Sequence, residues 1–167
     1  MSKYEVKGVK SWTGRDGYGY ECNLYRDGKK VARVLNEGNG GQTMFYWADT
    51  EAPKVEVTHD FYGKEVTRKV SPEEAALLEH VKGMTYEFYG ETYDHSDETF
   101  VGGLVDEYEE AKQFKRWCRK SVVFRLKGDK EGAWRTMKAK YDERAVKFLK
   151  DKYGDKIEEI LNERFAA

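Results

Sequence analysis

The sequence contains little cysteine and little proline, with two of each among its 167 residues. Two cysteines cannot form a disulfide scaffold, so we expect free thiols in a reducing cytoplasm. No run of about 18 apolar residues is present, which excludes an apolar membrane-spanning segment. The N-terminus lacks a charged stretch followed by an apolar one, so we expect no secretory signal. Aromatic residues make up 14% of the chain, which favours a folded protein over a disordered one.

The net charge is also small, at −1, because 30 basic residues almost cancel 31 acidic ones. The two signs are nevertheless separated along the sequence. Residues 84–110 contain nine acidic residues and neither Lys nor Arg, whereas residues 111–141 contain eleven basic residues. We name these ranges the acidic segment and the basic segment. Either the two segments neutralise each other in the fold, or they present two charged faces to partners.

Turn residues divide the first part of the chain into short strands. Asp27-Gly28 lies between two alternating runs, and this pair favours a tight hairpin because Gly accepts a positive φ without steric cost. The pattern predicts an antiparallel meander, with its last segment as a further or edge strand. The predicted strands are residues 4–12, 20–25, 30–35, 43–47 and 54–58.

Two helices are predicted in the middle of the chain. Ser71, Pro72 and Glu74 are typical of a helix start with a capping box, and Gly83 of its end. The predicted apolar face is Ala75, Leu78 and Val81, with Leu77 beside it. The second helix is predicted from Ser96 or Asp97 to about Lys120. Its apolar stripe is Val101, Leu104, Val105, Tyr108, Ala111 and Cys118.

The last third of the chain predicts a hairpin and two helices. Residues 122–127 and 133–139 form the hairpin, and Asp142 caps a helix that Gly154 ends. The predicted face of that helix is Ala145, Phe148, Leu149 and Tyr153. The last helix would be capped by Asp155 and carry Ile157, Ile160, Leu161 and Phe165 on one face.

The order of these elements predicts the fold class α+β, since strands come first and helices follow. The architecture would be an N-terminal antiparallel β-meander, then helices, a second β-hairpin and two C-terminal helices. We expect a single domain over residues 1–167, with sub-units at residues 1–60 and 61–167.

No catalytic motif is found, so we expect neither an enzyme nor a cofactor. His59 precedes Asp60, but one adjacent pair does not form a catalytic triad. His95 with Asp94 and Asp97 could hold a divalent cation, because hard cations prefer oxygen ligands. The same acids also suit a helix N-terminus, and we favour that interpretation over a metal site.

The acidic segment is the first candidate site. Spaced carboxylates can imitate phosphates and occupy a basic groove of a nucleic-acid-binding partner, and aromatic side chains are common interface anchors. Alternatively, the aromatic residues fill the core and the acids are only solvated. The candidate partner-binding residues are Glu87, Tyr89, Glu91, Tyr93, Asp94, Asp97, Glu98, Asp106, Glu107, Glu109 and Glu110.

The basic segment is the second candidate site, for nucleic acid. Cations that contact phosphates, placed among aromatic residues that stack on bases, are typical of single-strand binders. Alternation of charged and apolar residues at 124–127 is also expected of an ordinary half-buried hairpin. The candidate residues are Lys115, Arg116, Arg119, Lys120, Arg125, Lys127, Arg135 and Lys138.

Two groups of stretches resemble small uncharacterised bacteriophage proteins over about a third of the chain. The first group resembles their N-terminal part, and the second is similar to their end. The stretches are residues 16–20 (DGYGY), 24–32 (LYRDGKKVA), 38–41 (GNGG) and 45–47 (FYW), then 127–132 (KGDKEG), 152–156 (KYGDK) and 161–163 (LNE).

This resemblance implies a phage-encoded protein that acts in the host cytoplasm. Small phage accessory proteins commonly inhibit host machinery, including CRISPR and other defence systems, by binding to it. The resulting hypothesis is an inhibitor that blocks a host protein or ribonucleoprotein, such as a nucleic-acid-guided defence complex, through the acidic segment. Binding of nucleic acid through the basic segment is the alternative.

Overall fold

The computed structural model describes residues 2–61 and 64–165, and the side chains of all of these except 59–61 and 64. The chain divides into two compact units, Met1–Tyr108 and Glu109–Ala167. The class is α+β, as the sequence predicts. No helix in the described ranges is long and apolar enough to span a membrane.

The first unit begins with the predicted antiparallel meander. Its strands follow one another in the order β1-β2-β3-β4. Asp27 and Gly28 form the two-residue turn between β2 and β3, with φ of 50° and 81°, because that turn requires positive φ at both positions. The strands are β1 (Tyr4–Thr13), β2 (Tyr18–Arg26), β3 (Lys29–Asn36) and β4 (Met44–Trp47).

One helix and the N-terminal part of a second cover the buried side of this sheet. They are α1 (Pro72–Val81) and α2 (Asp97–Lys120), and Val101 and Val105 of α2 are fully buried with the strand residues of the core. Ser71 Oγ accepts a hydrogen bond from Glu74 N at 3.2 Å, which confirms the predicted cap of α1.

The buried face of α1 is shifted by about one position from the prediction. It carries Leu77, Val81 and Glu73, whereas Ala75 and Leu78 are only half-buried. The buried Glu73 is held by Arg26 of β2, with Nη2 and Oε2 3.0 Å apart. Because Arg26 supplies a partner for the carboxylate, this helix face accepts a residue type that hydrophobic periodicity does not identify.

Two separate hairpins complete the first unit. They are β5 (Val55–Phe61) with β6 (Lys64–Val70), and β7 (Thr85–Phe88) with β8 (Glu91–Asp94). The strand predicted at residues 54–58 is present, but it pairs with β6 rather than with the meander. The sub-unit boundary drawn at residues 60 and 61 falls inside β5, whereas the two compact units meet at Tyr108 and Glu109.

The second unit combines the C-terminal part of α2 with a three-stranded antiparallel sheet that packs against a further helix. The strand order is β10-β9-β11. Val122 and Phe124 pack with Ala145, Leu149 and Ile160 in its core. The elements are β9 (Val122–Leu126), β10 (Arg135–Met137), α3 (Glu143–Tyr153) and β11 (Ile157–Ile160). Asp142 caps α3 as predicted, since its Oδ1 accepts from Ala145 N at 2.8 Å.

The prediction of a second C-terminal helix is wrong. Residues Ile157–Ile160 form β11, between 3₁₀ segments at Gly154–Lys156 and Leu161–Phe165. The apolar spacing fits a helix, but β11 satisfies backbone groups along the free side of β9. Isoleucine is also favoured in strands. Phe148, placed by prediction on the buried face of α3, is 54% exposed.

Candidate functional site

The hairpin of β7 and β8 presents aromatic side chains to solvent. We name residues 85–94 the aromatic hairpin. Phe88, Tyr89 and Tyr93 are 57%, 94% and 41% exposed. Tyr86 faces Tyr93 across the strands with ring centroids 5.8 Å apart, and Phe88 meets Tyr89 edge-on at 4.5 Å. Contiguous exposed apolar surface of this kind is typical of an interaction site.

Three carboxylates share this hairpin with the aromatic rings. Glu87 and Asp94 lie on the opposite face from Tyr86 and Tyr93, at diagonal positions that place side chains about 7–8 Å apart. Glu91 accepts a hydrogen bond from Tyr93 Oη at 2.7 Å, and this bond raises the pKa of the tyrosine. The hairpin therefore combines apolar anchors with negative charge and has no Lys or Arg.

The turn of the hairpin has an unusual residue at its tip. Tyr89 has φ of 51° and is followed by Gly90 with φ of 81°. This conformation is normally occupied by Asn, Asp or Gly, because a Cβ with a bulky substituent is strained at positive φ. A tyrosine that is almost fully exposed gains little packing in return.

The base of the aromatic hairpin is fixed to the rest of the first unit through His95. His95 N donates to Met84 O at 2.8 Å, and its ring lies 4.8 Å from that of Tyr86. The centroid of the same imidazole lies 6.1 Å from that of the Phe100 ring. The Phe100 ring in turn contacts the ring of the buried Tyr4, with centroids 5.9 Å apart. Ring contacts thus run from the core to the hairpin, which holds the base in place while the tip stays exposed.

Five of the eleven predicted partner-binding residues lie on the hairpin. They are Glu87, Tyr89, Glu91, Tyr93 and Asp94. Asp106 and Glu107 lie exposed on α2, while Glu109 and Glu110 belong to the second unit, where Lys112 lies 3.3 Å from Glu109.

Asp97 and Glu98 stabilise the fold rather than present free charge. Glu98 Oε2 accepts from Thr43 N at 2.9 Å, and Asp97 Oδ1 accepts from Glu98 N at 3.0 Å. Burial raises the pKa of Asp97. Ser96 Oγ accepts from Thr99 N at 3.1 Å, so this serine caps the start of α2.

The histidines give no metal centre within the described residues. There, no group of three or more His, Cys, Asp or Glu side chains could hold a metal ion. His95 Nδ1 lies 3.2 Å from Thr99 Oγ1, and the imidazole ring contacts the rings of Tyr86 and Phe100. The side chains of His59 and Asp60 lie outside the described set.

Two of the predicted nucleic-acid-binding residues are used by the fold of the second unit. Arg125 Nη2 lies 3.0 Å from Glu158 Oε1. The Cζ atom of the same guanidinium lies over the Trp134 ring, 5.4 Å from the ring centre. Arg135 donates two hydrogen bonds to Asp129, at 2.8 and 2.6 Å, and lowers the pKa of that carboxyl to about 2. The remaining six are Lys115, Arg116, Arg119 and Lys120 on α2, with Lys127 and Lys138 exposed beside β9 and β10.

A groove of about 560 Å³ in the second unit collects cations and aromatic rings. It is lined by Lys115, Arg119 and Arg164, with Tyr141 and Phe165. We name it the cationic groove. Sequence reasoning missed three of these residues. Arg164 and Phe165 lie outside the basic segment, and Tyr141, its last residue, was not among the candidates, because only the tertiary fold places the three beside α2.

Tyr86 and Phe88 are the aromatic residues of the hairpin that the predicted partner-binding set omits. The alternation of polar and aromatic residues at 85–88, directly before Tyr89-Gly90, is the signal that would have found them. A scan against family models, a search of curated proteins and a search of solved structures each give no match to the chain.

Proposed function

We propose that the protein is a binding protein whose aromatic hairpin docks on a basic, nucleic-acid-binding surface of another protein. The observation that carries this proposal is one hairpin with three exposed aromatic rings, three carboxylates and no cation. Aromatic side chains supply anchors that bury large apolar area, and the carboxylates supply complementarity to a positive partner.

The charge of the first unit favours a basic partner. Residues 1–108 contain twenty acidic and thirteen basic residues, so the unit that bears the hairpin is negative as a whole. A field of one sign accelerates association with a surface of the opposite sign, especially at low salt. A groove that normally receives phosphates has that sign.

The turn geometry also supports a binding role. Tyr89 occupies a left-handed backbone position although Asn or Gly would be accommodated there with less strain. Strain that the fold does not require is typical of functional positions. An anchor that enters a pocket of the partner accounts for the residue.

The resemblance to small bacteriophage proteins narrows the partner. We propose a host complex that handles nucleic acid, such as a nucleic-acid-guided defence complex, which the hairpin would block by imitating phosphates. In that role the protein acts by occupying the nucleic-acid site, without a chemical step of its own.

Affinity capture with matched charge variants tests the proposal. Tagged protein is incubated with lysate of the cells in which it is made, after nuclease treatment and inactivation of the nuclease. Bound proteins are identified by mass spectrometry. The test variant carries Glu87→Lys, Glu91→Lys and Asp94→Lys. The control carries Glu51→Lys, Glu56→Lys and Glu79→Lys, which change the charge of the same unit equally at exposed positions.

We expect the wild type and the control to retain a nucleic-acid-binding protein that the test variant loses. Added duplex DNA should displace that protein, because both ligands compete for one basic surface. Equal retention by the two triple variants, or retention that DNA does not affect, would overturn the proposal. Circular dichroism confirms that both variants are folded.

A further inference from the structure

We infer that the cationic groove of the second unit binds single-stranded nucleic acid, with phosphates on Lys115 and Arg119 and a base on Phe165. This is a second activity, carried by a different unit from the aromatic hairpin. A groove of about 560 Å³ lies in the size range of small-molecule sites and has room for a nucleotide.

The charge of the second unit suits an anionic ligand. From residue 109 to the end, the chain contains seventeen basic and eleven acidic residues. Lys115 and Arg119 are one helical turn apart on α2, so their side chains share a face. Within the described residues neither side chain has a carboxylate partner, whereas Arg164 is paired with Glu159. The two α2 cations are thus the phosphate-binding candidates.

These cations are not required to cap the end of α2. The last carbonyl groups of a helix lack intrahelical donors, and Lys or Arg side chains often satisfy them. Here the buried Asn162 does so, since its Nδ2 donates to Cys118 O at 3.1 Å and to Ser121 O at 3.0 Å. Lys115 and Arg119 remain available to a ligand.

An aromatic surface lies beside the cations. Lys115 Nζ is 5.8 Å from the ring centre of Phe165, and the half-buried Tyr141 lines the same groove. Cations that follow the backbone and rings that stack on bases are the two components of single-strand recognition. A duplex keeps its bases paired and away from such rings, so the groove favours an unpaired strand.

Fluorescence anisotropy with a labelled 20-nucleotide poly-dT tests this inference on the full-length protein. The test variant is Lys115→Gln with Arg119→Gln. The control is Lys130→Gln with Lys150→Gln, which removes the same charge from exposed positions of the same unit away from the groove. Phe165→Leu tests stacking while it retains most of the apolar volume.

The groove variant should bind at least tenfold more weakly than the control. The slope of log affinity against log salt should fall by about 1.4, which corresponds to two phosphate contacts on a single strand. Phe165→Leu should weaken binding about fivefold or more through lost base stacking. Thermal unfolding confirms that each variant is folded.

The inference is overturned if the wild type does not bind the oligonucleotide at 50 mM salt, or if the groove and control variants weaken binding equally. Duplex DNA of the same length and a mononucleotide serve as further ligands. We expect both to bind more weakly than the poly-dT strand. Tighter binding of the duplex than of poly-dT, or equal affinity for the mononucleotide and poly-dT, would contradict the single-strand assignment. The hairpin variant Tyr89→Asn, which does not change the charge, should leave this binding unchanged, so the two functions are tested separately.

Discussion

Asp27 and Tyr89 occupy the first position of two-residue hairpin turns that have nearly equal φ angles. Their φ angles are 50° and 51°, and each is followed by a glycine at 81°. Asp27 contributes to the fold, because its Oδ1 accepts a hydrogen bond from Lys3 N at 2.8 Å. Tyr89 is 94% exposed and contacts the ring of Phe88. The first turn is suited to stability, whereas the second places an aromatic ring in solvent.

We predict that Tyr89→Asn stabilises the protein and weakens partner binding. Asn accepts the left-handed conformation with less strain, so the free energy of unfolding should rise by about 1 kcal/mol. The midpoint of thermal unfolding should rise by about 2–4 °C. Tyr89→Phe is the control, which should leave both stability and capture of the partner nearly unchanged. A Tyr89→Asn variant that keeps full binding would show that the ring is not an anchor.

Two glycine substitutions should have opposite effects on stability. A Cβ at Gly14 would lie 2.2 Å from the carbonyl oxygen of Gly38, whereas a Cβ at Gly103 of α2 meets no atom within 4 Å. Gly14→Ala should therefore destabilise by about 1–3 kcal/mol. Gly103→Ala should stabilise by about 1 kcal/mol, because Gly is unfavourable within a helix. Urea unfolding measures both, and equal shifts of the midpoint would refute the close approach of Gly14 to Gly38.

Asn162→Ala should strongly destabilise the second unit. The Asn162 side chain accepts from Val123 N at 2.7 Å and donates to two carbonyl groups at the end of α2. Loss of this side chain leaves the buried N–H of Val123 without a partner, which costs about 1–3 kcal/mol. The loss of the two hydrogen bonds to the carbonyl groups adds to this cost. Asn39→Ala, at an exposed loop position, should cost much less. Comparable unfolding midpoints for the two variants would contradict this role.

The stability of the second unit should fall in acid through Asp129. Arg135 lowers the pKa of Asp129 to about 2 in the folded state, below the unfolded value of about 3.9. The unfolded chain therefore binds the proton first, and this contribution to stability is present above pH 4 and lost as the pH falls towards 2. Urea midpoints between pH 7 and 2.5 should decline less steeply in Asp129→Asn. An unchanged slope would show that the pair does not contribute.

Local signals in the sequence predicted much of the fold. Ser71 and Asp142 accept the predicted capping hydrogen bonds, and Asp27-Gly28 forms the predicted turn. These features depend on residues only a few positions apart, which is why a single sequence reveals them. The stripe of α2 also follows from spacing, and Val101 and Val105 are fully buried as expected.

The features that were missed depend on contacts distant in sequence. Residues 157–160 form a strand because β9 offers a partner there, although their apolar spacing fits a helix. Glu73 is buried because Arg26 is opposite it. Arg135 and Arg125 look like free cations in the sequence but have carboxylate partners in the fold.

The candidate site was predicted in composition but not in shape. The acidic segment was identified by its charge, yet Asp97 and Glu98 accept backbone hydrogen bonds, and the exposed rings belong to a hairpin that was not predicted. Polar and aromatic residues alternate in β7, but β7 and β8 have only four residues each and β8 contains a single aromatic residue, so the pattern is too short to predict a hairpin.

Site-specific photo-crosslinking at the tip of the aromatic hairpin tests the central claim most directly. A photoreactive phenylalanine is placed at Tyr89 and, as a control, at Tyr18, an exposed position of the meander. The proposed function predicts that position 89 crosslinks to a nucleic-acid-binding protein through its basic surface, that excess duplex DNA prevents this crosslink, and that position 18 gives none. Equal crosslinking at the two positions, or a crosslink at position 89 that DNA does not affect, would contradict the proposed function.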